Sequence, residues 1–228
     1  MIRFHFQLTP LSDVEPWGER RLHWFALTDG RYWIEVDGHK LFHHRSSPVD
    51  YYVVRLWEDI QEVLPSALEP VPADLVGHLT GDAWPGADEE AAVDWYSGHF
   101  MNTSYLRAGP SILWWRSVAD QDTITVDWRH PVDSGVDCTV PRRGRVSVPT
   151  ESFLQAVETF DRELMVAMER RIAEVEAGGV AADVQLDLEQ LRREHQQRSG
   201  AMAAALRRTP GTDWAAVREG VARIFSTE

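Results

Sequence analysis

Residues 21–36 read RLHWFALTDGRYWIEV, and this stretch decides the predicted fold class. It contains two aromatic and β-branched runs separated by an Asp-Gly pair, a sequence typical of a β-hairpin. A second turn pair, Asp37-Gly38, follows directly. Upstream, residues 2–8 alternate between apolar and polar side chains, as expected for a half-buried strand. The sequence therefore predicts an antiparallel meander of three or four strands over residues 1–44.

The remainder of the chain alternates between helical and strand-like patterns. Apolar spacing predicts a helix over residues 50–64 that ends at Pro65, and a short acidic helix leading to Trp95. The strands predicted after it are residues 104–107, 111–118, 123–129 and 145–148. From Pro149 the period is helical, with breaks at Gly178-Gly179 and Pro210-Gly211.

These elements predict an α+β fold in one domain spanning residues 1–228. An antiparallel sheet from residues 1–44 and 100–148 would pack against a C-terminal helical hairpin. An acidic helical insert at residues 49–98 would lie to one side, and residues 149–228 would form the helical part.

The net charge of −13 is concentrated in that insert. Residues 49–98 hold eleven acidic residues against Arg55 alone, which gives −10 for the segment. Such a field repels nucleic acid and anionic membranes and favours a basic partner, although solvated helix faces have the same composition. The candidates for contact with a partner are Glu58, Asp59, Glu62, Asp88, Glu89 and Glu90.

Ten tryptophans, nine of them before residue 129, indicate either an aromatic core or an aromatic-walled cleft. Alternate residues of a strand share a face, so Trp33 lies beside Glu35 and Asp127 beside Arg129. Such a face can bind a small polar ligand, and a covering helix with charges paired at its rim would produce the same pattern. The candidate ligand-binding residues are Trp24, Trp33, Glu35, Trp115, Asp127 and Arg129.

Neither a Gly-rich phosphate loop nor a catalytic signature is present in the sequence. Cys138 is the only cysteine, which excludes an intramolecular disulfide and a cysteine-based zinc site. His39 and His43 have the spacing of a helical metal pair, but Gly38 and the strand pattern place them outside a helix. We therefore expect no metal and no cofactor, and whether the protein is an enzyme stays open.

The expected location is the cytoplasm. The first residues, MIRFHFQ, lack the basic-then-apolar layout of a secretory signal. The sequence has no run of 18 apolar residues that would suggest a membrane span. A single thiol also fits a reducing compartment.

Several motifs resemble those of an uncharacterised actinobacterial family, a domain of unknown function. They are LHWFALTDG at residues 22–30, YWIE at 32–35, DYYVVRLWED at 50–59, VDWRHP at 126–131 and FDREL at 160–164. The resemblance covers nearly the whole chain and implies a bacterial cytosolic protein. It implies no activity, cofactor or catalytic residue.

Two functions from different classes are most consistent with these observations, and a structural or oligomeric adaptor that uses the C-terminal helices is a third. The first is a non-enzymatic protein whose acidic insert binds a basic protein partner. Its size, charge and fold class are similar to those of the immunity proteins of bacterial toxin systems. The alternative is a small-molecule binding protein or enzyme that uses the Trp-rich sheet face. The oligomeric state is left open.

Overall fold

The computed structural model describes residues 1–18, 20–44, 47–80, 89–106, 109–131, 139–181 and 183–226. In this part of the chain, two four-stranded antiparallel sheets and several of the helices share one large hydrophobic core, and the other helices pack in a second, smaller cluster. The fold is the predicted mixed α/β type, with antiparallel sheets and a helical C-terminal region. The single sheet expected from the sequence is instead divided in two.

The strands in chain order are β1 (Ile2–Leu8), β2 (Arg21–Leu22), β3 (Gly30–Val36), β4 (His39–Leu41), β5 (Val49–Asp50), β6 (Phe100–Met101), β7 (Ser111–Ser117), β8 (Thr123–Arg129), β9 (Arg143–Pro149) and β10 (Gln185–Leu186). The helices are α1 (Val53–Leu68), α2 (Ala73–Leu79), α3 (Glu90–Gly98), α4 (Thr150–Glu176), α5 (Leu188–Arg198), α6 (Ala201–Ala205) and α7 (Trp214–Phe225). The first sheet has the order β1-β3-β4 with β5 beside β3, and the second has the order β6-β7-β8-β9. β2 and β10 form a short parallel pair.

The predicted hairpin within residues 21–36 is wrong, whereas the turn at Asp37-Gly38 is confirmed. Residues 21–28 form only β2 and a 3-10 turn, and β3 pairs with the distant β1. A Cβ atom on Gly30 would lie 2.4 Å from the Gln7 carbonyl oxygen, so this glycine permits close strand contact. Asp37 and Gly38 have φ of 47° and 81°, as in the tight turns that join antiparallel strands.

The middle strands of the second sheet, β7 and β8, are buried on both faces. Trp114 and Val126 face the large core shared with the first sheet. Trp115 faces a second apolar cluster formed with α2, α3 and α7. The strand predicted at residues 104–107 is not found in its described part, because residues 104–106 form a turn and the first strand of this sheet is β6.

Two helix boundaries differ from the sequence prediction. Pro65 lies inside the last turns of α1 rather than ending the helix. The helix expected to run to Pro210 is divided into α5 and α6 around Gly200. The last helix is capped by Asp213, whose carboxylate accepts hydrogen bonds from the N–H groups of Ala215 and Ala216.

The long helix α4 confirms the strongest periodic pattern of the chain. Its apolar stripe packs on the core face of the first sheet, where the ring centroids of Phe4 and Phe160 are 5.6 Å apart. The buried Arg171 on the same helix donates hydrogen bonds to the carbonyls of Thr9 and Leu27. These contacts fix the chain segment that follows β1.

Candidate functional site

The candidate ligand-binding residues lie in three separate places. Trp33 and Glu35 are on β3 of the first sheet, whereas Asp127 and Arg129 are on β8 of the second. Trp24 is fully buried and lies in a turn outside the strands, where its indole N–H donates to Nδ1 of His195 over 3.3 Å. It therefore cannot line an open sheet face, and the proposed common ligand face does not form.

On the outer face of the first sheet, Trp33 belongs to a small polar-aromatic cluster. Its ring stacks on that of His5 with centroids 4.6 Å apart. Nε2 of His5 lies 3.3 Å from a carboxylate oxygen of Glu35. Trp33 and Glu35 are both half-buried, so part of each side chain reaches the surface, although the indole N–H of Trp33 is itself buried.

The second group surrounds a small cavity of about 260 Å³ at the edge of β8 and β9. Asp127 is buried and accepts a 2.8 Å hydrogen bond from Arg145, while Nε of Arg129 is 3.5 Å from its other carboxylate oxygen. Arg129 is also directly opposite Arg143 in the strand register. Trp115 lies beneath, with the Arg145 guanidinium 5.6 Å from its ring centroid.

The acidic candidates for partner binding are mostly engaged within the chain. Glu58 pairs with Arg55 and Arg198. Glu89 binds Arg223 at 3.0 Å. Glu62 and Glu90 lie exposed on α1 and α3, and Asp88 lies outside the described residues.

Asp59 is 4% exposed and belongs to a buried network instead of the surface. Tyr105 donates a 2.5 Å hydrogen bond to its carboxylate, and the hydroxyl of Tyr32 lies 3.3 Å from that of Tyr105. Burial raises the pKa of Asp59 to about 7, against the opposing effects of the Tyr105 hydrogen bond and the nearby Arg55. Asp59 is therefore removed from the candidate partner surface.

A second acidic surface lies where β1 ends and β3 begins. Here a cavity of about 490 Å³ is lined by the carboxylates of Asp13, Glu15, Asp29 and Asp50. We call these four residues the carboxylate groove. Among the described residues that line it, one carries a guanidinium, Arg31, which binds Asp50 at 3.2 Å. The buried guanidinium of Arg171 lies behind Thr9 and interacts with Asp29, so four anionic groups are opposed by two cationic groups.

An aromatic cluster adjoins the carboxylate groove. Tyr52 lines the cavity, and its hydroxyl accepts a 2.6 Å hydrogen bond from the indole N–H of Trp17. Trp17 is 41% exposed although its ring contacts His23, Phe25 and Tyr52. An exposed indole beside carboxylates suits the binding of ammonium or guanidinium groups.

Sequence reasoning missed most of this groove. By its position in the sequence Asp50 belongs to the acidic insert, and no local pattern distinguishes Asp13, Glu15 and Asp29 from other surface acids. Asp29 belongs to an Asp-Gly pair that predicted a turn. The four side chains come together because Leu8 pairs with Gly30 and Arg31 pairs with Asp50, so the correct strand register is the signal that would have found them.

The described residues contain no group of three or more His, Cys, Asp or Glu side chains placed to hold a metal ion. None of their helices combines the length and the apolar character needed to cross a bilayer.

A family model described as "Family of unknown function (DUF5984)" matches residues 3–220. The chain belongs to this family. The match confirms the expected membership of an uncharacterised family and spans nearly all of both sheets. Among curated proteins and solved structures, nothing matches the chain. Membership of DUF5984 assigns no activity, so the function is argued from the surfaces described above.

Proposed function

We propose that this DUF5984 protein is a cytoplasmic, non-enzymatic binding protein that takes up a basic protein partner, in the manner of an immunity protein. The observation that carries the proposal is the carboxylate groove, where four carboxylates outnumber the guanidiniums of Arg31 and of the buried Arg171. A net negative cavity attracts cationic side chains and strengthens their hydrogen bonds to carboxylates.

The groove offers two kinds of contact to an arginine or lysine of the partner. Its carboxylates accept charge-assisted hydrogen bonds, which are roughly twice as strong as neutral ones. The adjoining rings of Trp17 and Tyr52 offer π faces at the rim. Aromatic residues and charged groups in this combination are typical of the few contacts that dominate protein interfaces.

The acidic insert has a secondary part in this proposal. Several of its carboxylates are neutralised inside the chain, as in the Asp74–Arg218 and Glu89–Arg223 pairs. Glu62 and Glu90 stay exposed and add to the negative field around the protein. Such charges raise the rate of association with a basic partner more than they raise the affinity.

The test compares two variants that remove the same number of charges. The groove variant carries Asp13→Asn, Glu15→Gln and Asp50→Asn, all at exposed positions. The insert variant carries Glu62→Gln, Glu90→Gln and Asp94→Asn, which are also exposed. Each full-length protein is purified from its own host and examined by native mass spectrometry. Affinity for the basic polypeptide that accompanies the wild type is then measured by calorimetry.

We expect a stoichiometric complex that the groove variant weakens at least about tenfold and the insert variant leaves within about threefold. Binding should also weaken as salt rises. A partner that loses affinity only with the insert variant would place the contact on the acidic helices. A protein that is isolated alone, with a bound metabolite, would contradict partner binding altogether.

A second candidate function is the binding of a small anion in the cavity beside β8 and β9. It is favoured by the three guanidiniums of Arg129, Arg143 and Arg145, which line the cavity together with one carboxylate, Asp127, among the residues that the structure describes. Planar guanidiniums bind carboxylates and phosphates in a bidentate manner. Inorganic phosphate and citrate should raise the thermal unfolding temperature of the wild type and of the groove variant, but not that of Arg145→Gln.

A further inference from the structure

The first strand of the protein has an open edge. In the first sheet the order is β1-β3-β4, with β5 also beside β3, so β1 has a strand neighbour on one side only. An edge strand presents a row of N–H and C=O groups that can pair with another chain. β1 is seven residues long, which is sufficient for a stable added strand.

The register shows which backbone groups point to this edge. The N–H of Asp37 donates to the Met1 carbonyl over 2.8 Å, and that of Thr9 donates to the Asp29 carbonyl over 2.9 Å. Because hydrogen-bonded pairs alternate along an antiparallel ladder, the odd-numbered residues of β1 bond to β3. The N–H and C=O groups of the even-numbered residues therefore point away from it.

Those outward groups have no backbone partner within the described part of the chain. They belong to Ile2, Phe4, Phe6 and Leu8. Ile2 and Phe4 are themselves buried residues, at 3% and 7% exposure. A row of outward backbone groups on an edge strand is a template for pairing with another extended chain.

A separate cavity, which we call the β1 cleft, runs along this edge. A cavity of about 530 Å³ is lined by the consecutive residues 1–5 and by one face of α4, from Ser152 to Glu163. Successive side chains of a strand point to opposite faces, so consecutive residues line one cavity when it opens along the strand edge. α4 forms the wall on the core side, where Phe160 contacts both Phe4 and Phe6.

We propose that an extended peptide segment of a partner protein binds in the β1 cleft as an additional strand on β1. The segment alternates apolar and polar residues: the apolar ones continue the core face of β1 and contact Ala156, and the polar ones face outward. It carries a carboxylate opposite Arg3. That arginine is exposed on the outward face, and the acid across from it on β3, Glu35, lies instead against His5.

This inference goes beyond the proposed function, since it uses the open edge of β1 and none of the four residues of the carboxylate groove. A second copy of the chain is the competing occupant, because β1 could also pair with β1 of another molecule. The experiment therefore includes an arm for each occupant.

The probe is a phage-displayed library of eight-residue peptides, selected on the full-length protein. We expect the enriched peptides to alternate apolar and polar residues, to carry Asp or Glu at one outward position, and to slow amide exchange of Phe4 and Phe6 at least about tenfold. The Arg3→Glu variant should reverse the preference, from an acidic to a basic residue at that position. It keeps the backbone unchanged.

A semisynthetic chain tests the backbone itself. Residues 1–11 carrying N-methyl-Phe6 are ligated to the remainder through Ser12→Cys, and the unmethylated ligated chain is the control. The methyl group removes one outward N–H and leaves the ladder with β3 intact, so thermal unfolding should be unchanged while peptide affinity falls at least about tenfold.

Three results would overturn the inference. The first is a selection in which the enriched peptides do not alternate apolar and polar residues. The second is peptide binding that leaves the exchange of Phe4 and Phe6 unchanged. The third is protection of these amides that rises with protein concentration alone, which would assign the edge to a second copy. The groove variant described above should retain peptide binding, so failure of the partner proposal and failure of this one are distinguishable.

Discussion

The two sheets use tryptophan in opposite ways. In the first sheet, β3 buries alternate residues and leaves Trp33 half-buried on its outer face. In the second sheet, β8 buries consecutive residues from Ile124 to Trp128, and Trp115 on β7 is likewise buried. The difference arises because the insert helices and α7 form a second apolar cluster over the outer face of the second sheet. The surfaces proposed for binding a protein accordingly lie on and beside the first sheet.

Truncation of one tryptophan in each sheet tests this comparison with the largest expected effect. Trp115→Ala should lower the free energy of unfolding by about 3–5 kcal/mol, because it leaves a cavity beneath α2, α3 and α7. Trp33→Ala should cost about 1 kcal/mol, since its ring is partly in water and loses mainly the stack on His5. Guanidinium chloride unfolding of the two variants and the wild type measures both values. Equal losses would show that the first sheet is covered as well.

The next prediction concerns Asp59, which joins α1 to the core face of the first sheet through Tyr105 and Tyr32. Burial holds its pKa at about 7, above the value of an unfolded chain. The folded state therefore binds more protons than the unfolded state between about pH 4 and about pH 7. Across that window the free energy of unfolding should fall as pH rises, by at most about 1.4 kcal/mol for each pH unit.

Urea unfolding at a series of pH values measures this slope. Asp59→Asn keeps an oxygen that accepts the Tyr105 hydrogen bond but cannot ionise, so the slope in that window should decrease. Asp94→Asn is the matched control, because it removes an exposed Asp carboxylate from α3. Asp161→Asn is unsuitable as a control, since burial also raises the pKa of Asp161. An unchanged slope in Asp59→Asn would mean that another group titrates there.

Local patterns predicted those elements that local physics determines. The strand at residues 2–8 and the helix α4 are predictable because their buried residues recur at a regular spacing. The spacing is every second residue in the strand and every third or fourth residue in the helix. The hairpin turn predicted at Asp29-Gly30 is wrong because Gly30 is required for close contact with the backbone of Gln7. The sequence alone does not distinguish such a glycine from a turn glycine. The predicted helix end at Pro65 is also wrong, since α1 continues through Pro65 to Leu68.

The candidate site was less predictable than the fold. The acids of the insert were evident from composition, but their partners Arg198, Arg218 and Arg223 lie more than a hundred residues further along the chain. The carboxylate groove depends on strand register and has no local signature. Charge along a sequence therefore gives the total field, whereas the arrangement of that charge is decided by tertiary pairing.

The smallest expected effect tests this pairing directly. Arg218 on α7 binds the carboxylate of Asp74 on α2, with Nε and Oδ2 2.6 Å apart, and both side chains are about half exposed. Exposed ion pairs contribute little to stability, so Arg218→Glu should lower the unfolding temperature only slightly and Asp74→Arg in the same chain should restore it. The difference should shrink in high salt because the charges are screened. A larger loss that the reversed pair does not restore would mean that the two side chains hold α7 on the insert by packing, and the compensation of charge would then be incidental.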